Sequence, residues 1–354
     1  MPSLLERLQE LTAIDAVSGQ ERPLVRHLME SLGPVCDSVE TDSVGNVYAV
    51  RKGATDGPTL MIAAHSDEIG LVVSSITPSG FLRFEKVGGV LDNLLAARLV
   101  RVGGQLGVIG MKAGHYQSAE ERSRVKPHSE MYIDIGAASA EEVAQRGVEI
   151  GDPVAFVSPL TSLGGSLVAG KAIDNRLGCA LLARLIEEVS PPAGTLVAAF
   201  TSQEEVGLKG AGVASFRLRP TLGLALDTMP SGDTPDMNAE LNVRLGAGPC
   251  IQVLAGQGGR GFLLPPTVKE FLTRTARDAG VAYQLVTFTG GNNDAATIGW
   301  AAEGVPAGSI CLPRRYAHSP LEVADLRDAE ASYELLNAVV KRMDRFPLLS
   351  FLGD

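Results

Sequence analysis

The chain has 354 residues, a formal net charge of −10, 45% hydrophobic but only 5% aromatic residues, and 40 glycines. That length exceeds one ordinary core and predicts two domains packed from aliphatic side chains. The acidic balance argues against nucleic acid or an anionic membrane surface as partner, and no apolar run reaches the length of a membrane span.

In chain order, Ser3-Leu4-Leu5-Glu6-Arg7-Leu8 reads as a capping box that opens an amphipathic helix, with Leu4, Leu8, Leu11 and Ile14 on or near one face. The segment lacks a basic stretch and an apolar signal core, so a cytoplasmic protein is expected. Cys36, Cys179, Cys250 and Cys311 show no paired spacing and are expected to be reduced and mostly buried. The run from Pro58 to Ala64 reads as a buried strand leading into His65-Ser66-Asp67-Glu68. From about Val72 to Gly165 the helical pattern nearly vanishes. Short β-rich runs such as Phe81–Phe84, Leu99–Val102, Leu106–Ile109 and Met131–Ile135 replace it, with one short helix expected at Ala140 to Gln145 behind a Ser139/Glu142 capping box. Beyond Gly165, helix patterns return at Leu177–Val189, Thr267–Asp278 and Ala329–Arg342, and apolar strands at Gly194–Phe200, Leu222–Leu226 and Val305–Leu312. The expected architecture is α/β: a mixed sheet flanked by helices, formed by residues 1–70 and 166–354, with a small β-barrel domain inserted at 71–165.

The chemistry-bearing residues cluster at the ends of these strands. Glu204-Glu205 follow the strand ending at Phe200, and two adjacent acids there need a partner, because neither can be buried unpaired without a large desolvation cost. His65, Asp227 and His318 end or follow three other strands, and Asp174 precedes a helix. Ligand sites of open α/β sheets lie beyond the carboxyl ends of the strands, so His65, Asp174, Glu204, Glu205, Asp227 and His318 can converge on one crevice. Carboxylates and neutral imidazoles suit zinc, cobalt or manganese. Singly, each has a plainer reading: a core histidine, a helix or turn cap, a surface acid. Gly256-Gln257-Gly258-Gly259-Arg260-Gly261 spells G-x-G-x-x-G, but Pro265-Pro266 follow where a phosphate-binding helix would run. No G-x-S-x-G elbow is present. His115 and His128 are expected to be surface or packing residues of the insert, and His27 to lie on a solvated helix face.

The segments Ala64-His65-Ser66-Asp67-Glu68-Ile69-Gly70, Asp174-Asn175-Arg176, Glu204-Glu205-Val206-Gly207, Asp227 with Gly232-Asp233-Thr234-Pro235, and Arg315-Tyr316-Ala317-His318-Ser319-Pro320 occur in this order. On these motifs the chain resembles the tetrahedral, self-compartmentalising metallo-aminopeptidases, also known as deblocking or glutamyl aminopeptidases. The likeness extends through Ile133-Asp134-Ile135-Gly136-Ala137 and Gly151-Asp152-Pro153-Val154 to nearly the whole chain. It implies a zinc-exopeptidase-like fold, a barrel that mediates dimerisation, and homo-oligomers built from dimers up to a hollow tetrahedral dodecamer. It also implies removal of N-terminal residues from peptide substrates with two divalent metal ions, zinc or cobalt foremost and manganese also tolerated. Asp174 would bridge the metals, His65 and Asp227 would complete one shell, and Glu205 and His318 the other. Asp67 would accept a hydrogen bond from the second His65 nitrogen. Glu204, not a ligand, would be the general base toward a metal-bridged water.

Other readings of the same residues are a deacylase or carboxypeptidase-like amidohydrolase with the same metals, a carboxylate-pair glycosidase needing none, and a binding module that keeps the fold. A binding module has no need for Glu204. Asn292, Asn293 and Asp294, in the loop after a short strand, and Arg315 are expected to line the substrate pocket and to favour polar or acidic side chains. The family commonly has Thr in place of Asn293, which leaves the specificity open.

Overall fold

A computed structural model describes residues 2–53, 56–235, 237 and 241–352. The N-terminal capping box forms: the Ser3 hydroxyl accepts the Glu6 amide at 3.3 Å, and the Glu6 carboxylate accepts the Ser3 amide at 2.7 Å. Helix α1 (Leu4–Ala13) buries Leu4, Leu8 and Leu11 and packs on α2 (Ile173–Glu188), where Arg7 pairs with Glu187 at 2.6 Å. Helix α2 is apolar almost all round because it lies between α1, the sheet and the helix Leu326–Val340. Leu177, Leu181 and Leu185 on it are fully buried, and truncating any one to Ala is expected to cost about 2–5 kcal/mol.

Four parallel strands form the centre of the sheet: β1 (Thr59–His65), β2 (Thr195–Thr201), β3 (Leu222–Pro230) and β4 (Ala307–Arg315), in the spatial order β2-β1-β3-β4. They are covered on both faces and read as continuous apolar runs for that reason. Antiparallel strands extend the sheet at both sides, Val47–Lys52 and Ser38–Thr41 beyond β2, and Glu322–Asp325, Leu167–Gly170 and Thr161–Gly164 beyond β4. The strand Cys250–Ala255 branches from β4. The architecture is therefore a mixed sheet flanked by helices. From β1 the chain passes to β2 on one side and then returns to β3 on the other, so the strand order reverses at β1. The crevice at its carboxyl end is a topological switch point.

Six antiparallel strands between Gly70 and Phe156 close into a barrel with its own core, which includes Leu71, Val73, Leu82, Phe84, Val100 and Ile133. The chain leaves the barrel at Phe156, and Thr161–Gly164 already pairs with Leu167–Gly170 in the large sheet. The helix Ala140–Gln145 forms with Ser139 accepting the Glu142 amide. The Glu142 carboxylate turns instead to the Ala138 amide at 2.8 Å, so the expected capping box is not closed. A second short helix, Ala119–Ser123, forms behind a Ser118/Glu121 capping box that the sequence reading passed over.

Gly256 to Gly261 folds as a tight turn with one short 3₁₀ segment, Gln257–Gly259, and leads to the two-residue strand Phe262–Leu263, so the next α-helix starts only at Pro266. The four cysteines are free, three of them buried. Among the described residues no helix is long and apolar enough to cross a membrane.

Candidate metal centre

The ends of β1, β2, β3 and β4 meet at one cleft of about 530 Å³, lined among others by His65, Asp174, Glu204, Glu205, Asp227 and His318. His65, the last residue of β1, is 2% exposed. Its Nε2 lies 3.1 Å from Asp174 Oδ1 and 3.6 Å from Asp227 Oδ1. His318 Nε2 lies 3.7 Å from both Asp174 Oδ2 and Glu205 Oε2. The two oxygens of Asp174 thus face two different groups of donors. His65, Asp174 and Glu205 each offer an atom within 4.8 Å of one another.

Local structure explains why Asp174 is free to face the cleft. The chain departs from helical geometry at Asp174 and Asn175, and Asn175, rather than Asp174, accepts the Gly178 amide that opens the regular helix. Asn175 also donates to the Leu226 carbonyl at 2.8 Å, which ties the helix start to β3 beside Asp227. The Asp174 amide donates to Glu322 at 2.9 Å.

Asp67 lies beside His65 and serves further neighbours as well. The nearest acceptor for His65 Nδ1 is the Asp67 backbone carbonyl at 3.2 Å, with the carboxylate at 3.4 Å. The carboxylate also accepts the amides of Glu204 and Glu205 and the Ser18 hydroxyl. Below this loop Glu68 is held by Lys171 at 2.9 Å and by Arg176, which also donates to the Ser66 carbonyl.

The electrostatics describe a site short of positive charge. Burial, reinforced by the neighbouring acids, raises the pKa of Glu204, Glu205 and Asp227 above the ordinary carboxylate range. Burial alone would lower the pKa of His65, but Glu204, Asp174, Asp227 and Asp67 raise it well above the usual imidazole value. Asp174 is also pushed up by burial, yet Arg314, His65 and His318 carry it net downward. Four carboxylates and two imidazoles share a cleft whose lining contains one cationic side chain, Arg314. Such a cluster of nitrogen and oxygen donors fits divalent cations, which would relieve the repulsion among the acids.

The Glu204 carboxylate differs from its neighbours. Among the described residues no hydrogen bond or ion pair engages its oxygens, although the side chain is nearly buried and borders the cleft.

The expected pocket residues separate. Asn292 and Asn293 line the cleft. Asn293 is itself held from below, donating to Gln252 and Ser309, each at 2.7 Å. Asp294 does not reach the cleft lining: it is 2% exposed and accepts the Thr201 hydroxyl at 2.6 Å. Arg315 is turned away, pairing with Asp233 at 2.7 Å outside the cleft. Arg314 faces inward in its place, 3% exposed, bonded to Asp174 and paired with Glu322 at 2.8 Å.

Adjacent strand residues point to opposite faces, and nothing in Pro313-Arg314-Arg315 says which arginine is inside. Glu322 was missed as well; its position between His318 and the final helix was the only signal. The insert also reaches the cleft through Gly89 and Leu91. A Cβ on Gly89 would come within 2.3 Å of His318 Nδ1.

Comparison with known proteins identifies the family. Residues 45–335 match the M42 glutamyl aminopeptidase family. The chain is 37% identical to the solved aminopeptidase APDkam598 of the archaeon Desulfurococcus kamchatkensis, with a TM-score of 0.94 over 98% of this chain and 97% of that one. It is 30% identical to the TET1 peptidase of Pyrococcus horikoshii, TM-score 0.85, over 96% and 99% of the two chains; that peptidase is described as assembling into a tetrahedron or a large octahedral shell. It is also 30% identical over 347 residues to the lysyl aminopeptidase of Pyrococcus furiosus, covering 96% of this chain and 97% of the relative. The chain is an aminopeptidase that belongs to the M42 glutamyl aminopeptidase family.

Proposed function

We propose that the protein removes N-terminal residues from peptides with two divalent cations. His65, Asp174 and Asp227 would hold one, and Asp174, Glu205 and His318 the other. Zinc and cobalt suit this donor set best, and manganese is tolerated. When bound, the cations would acidify a water molecule and polarise the scissile carbonyl.

Glu204 is the general base: it takes the proton of the attacking water and returns it to the leaving amine, a contribution typically of about 10²–10⁴-fold. The observation that carries this reading is the contrast between the adjacent acids. The Glu205 carboxylate lies beside His318, while among the described residues no hydrogen bond or ion pair engages the Glu204 carboxylate, which acts on His65 through its charge. Asp67 keeps the pair in place through the two backbone amides. Asn292, backed by Asn293, forms part of the wall that meets the substrate.

The assembly proposed is a dimer joined through the barrel, with dimers combining into a closed shell inside the cytoplasm. Leu99, Leu106 and Val108 make an apolar patch on the outside of the barrel, 42–58% exposed, which such a contact would cover.

The test is hydrolysis of a panel of aminoacyl-p-nitroanilides by the chelated protein, before and after adding zinc, cobalt or manganese. Metal-restored cleavage of free-amine substrates supports the proposal. Silence from a folded, metal-loaded protein refutes it and favours a deacylase of the same fold.

A further inference from the structure

The guanidinium of Arg314 sits among the proposed metal ligands, held by two acids and a hydroxyl. Its Nη2 donates to Asp174 Oδ2 and its Nη1 pairs with Glu322 Oε1 at 2.8 Å, while its Nε donates to the Thr228 hydroxyl. Glu322 in turn accepts the backbone amides of Asp174 at 2.9 Å and His318 at 3.2 Å. Arg314 and Glu322 are 3% and 2% exposed, so the arginine has no solvent into which to swing.

The contact with Asp174 is one-sided. Oδ1 faces His65, whose Nε2 also approaches Asp227, and carries no arginine. Oδ2 faces His318 and is the oxygen that Arg314 engages. A fixed cation that donates to an oxygen draws off its electron density and repels a second cation at the same atom. The opposite oxygen is affected less.

We infer that Arg314 makes the two cation positions unequal, weakening the one formed by Asp174 Oδ2, Glu205 and His318 while leaving the His65–Asp174–Asp227 position tight. The inference rests on the two-cation reading above. It assigns Arg314 a positioning role in metal loading: at limiting metal the enzyme is half-filled, with the vacancy next to Glu205.

The experiment is a titration of the chelated full-length protein with Zn²⁺ by calorimetry, repeated with Co²⁺ and read by its visible absorption. In the wild type the first equivalent is expected to bind at least about tenfold more tightly than the second, the scale on which groups contacting metal ligands tune affinity. Arg314→Met should bring the two affinities together, and Arg314→Lys, which keeps a cation beside Asp174, should preserve part of the gap. Because Arg314→Met strands a buried Glu322 carboxylate, the double variant R314M/E322Q provides a charge-balanced form in which the same convergence is expected. Two equally tight equivalents in the wild type would overturn the inference and leave the two-cation reading standing. So would an unchanged gap in folded R314M/E322Q, which would limit Arg314 to neutralising Glu322. Failure to bind any cation would overturn both.

Discussion

Asp67 Oδ1 accepts the backbone amide of Glu204 at 3.0 Å, and its second oxygen accepts the following amide, of Glu205, at 3.2 Å. One carboxylate at the end of β1 therefore sets the direction of both acids that follow β2. Burial alone would raise the Asp67 pKa, but hydrogen bonds from His65, Ser18 and Glu204 bring it below the usual range, so the group is a fixed anion. An asparagine there offers one oxygen to two amides and turns an N–H toward the other. Asp67→Asn is expected to lose about 10–100-fold in metal affinity or turnover. Metal analysis and kcat on the purified variant check this, and wild-type values for both would contradict it.

The glycine turn at 256–261 has a role unrelated to nucleotides. A Cβ on Gly261 would fall 1.5 Å from Asn292 Oδ1, and one on Gly256 2.5 Å from the same atom. The glycines leave room for a side chain of the cleft wall. Because that atom is the tip of a side chain, Gly261→Ala is expected to displace Asn292 without unfolding the protein. KM for peptide substrates should change several-fold while metal content stays constant. Steady-state kinetics with metal analysis decide the matter.

Arg315 is held by Asp233, and the one arginine of the cleft lining is already engaged with Asp174 and Glu322. Neither arginine is free to select an acidic residue. Arg315→Ala is therefore expected to leave the ranking of glutamyl and leucyl substrates unchanged. A selective loss of glutamyl cleavage would show that Arg315 reaches the pocket after all.

Asp328, which does not line the cleft, supplies a pH dependence of stability. It accepts the Gly246 and Gly248 amides at 2.7 and 2.8 Å, yet burial still pushes its pKa up to about 6. The unfolded value is about 3.9, so between the two values the folded state holds the proton more tightly. Its contribution to stability is greatest below the unfolded value, falls as pH rises toward 6, and is level above that. Asp328→Asn removes this dependence. The Tm advantage of the wild type over the variant should shrink between pH 4 and 6 and then hold constant; a gap independent of pH would contradict the assignment.

The parts of the fold most legible in the sequence were those set by local pattern. β1 to β4 are apolar because both faces are covered, and in such a sheet the residues that end them share one side of the molecule. His65, Asp227 and the Glu204-Glu205 pair could be brought together on that argument alone. The barrel was legible from alternation, as in Leu99–Val102, where Val100 and Val102 are buried and Leu99 and Arg101 exposed. The support around the ligands was not. Glu322 stands on a short strand between β4 and Leu167–Gly170, and only the pairing of that strand with β4 brings it beneath Arg314. The choice between Arg314 and Arg315 depends on which face of β4 each presents at its end. Asp67 was singled out through the family resemblance as a partner of His65, and its carboxylate also serves residues 137 and 138 positions away.

The proposed chemistry depends on the division of labour between two neighbouring acids, and Glu204→Gln tests it most directly. Metal content and turnover would be measured on the same preparation, with Glu205→Gln as the counterpart. The expected result is full metal occupancy in Glu204→Gln with kcat reduced by about 10²–10⁴-fold, against loss of metal in Glu205→Gln. Equal metal loss in both variants, or near-normal turnover in Glu204→Gln, would contradict the assignment of Glu204 as the base.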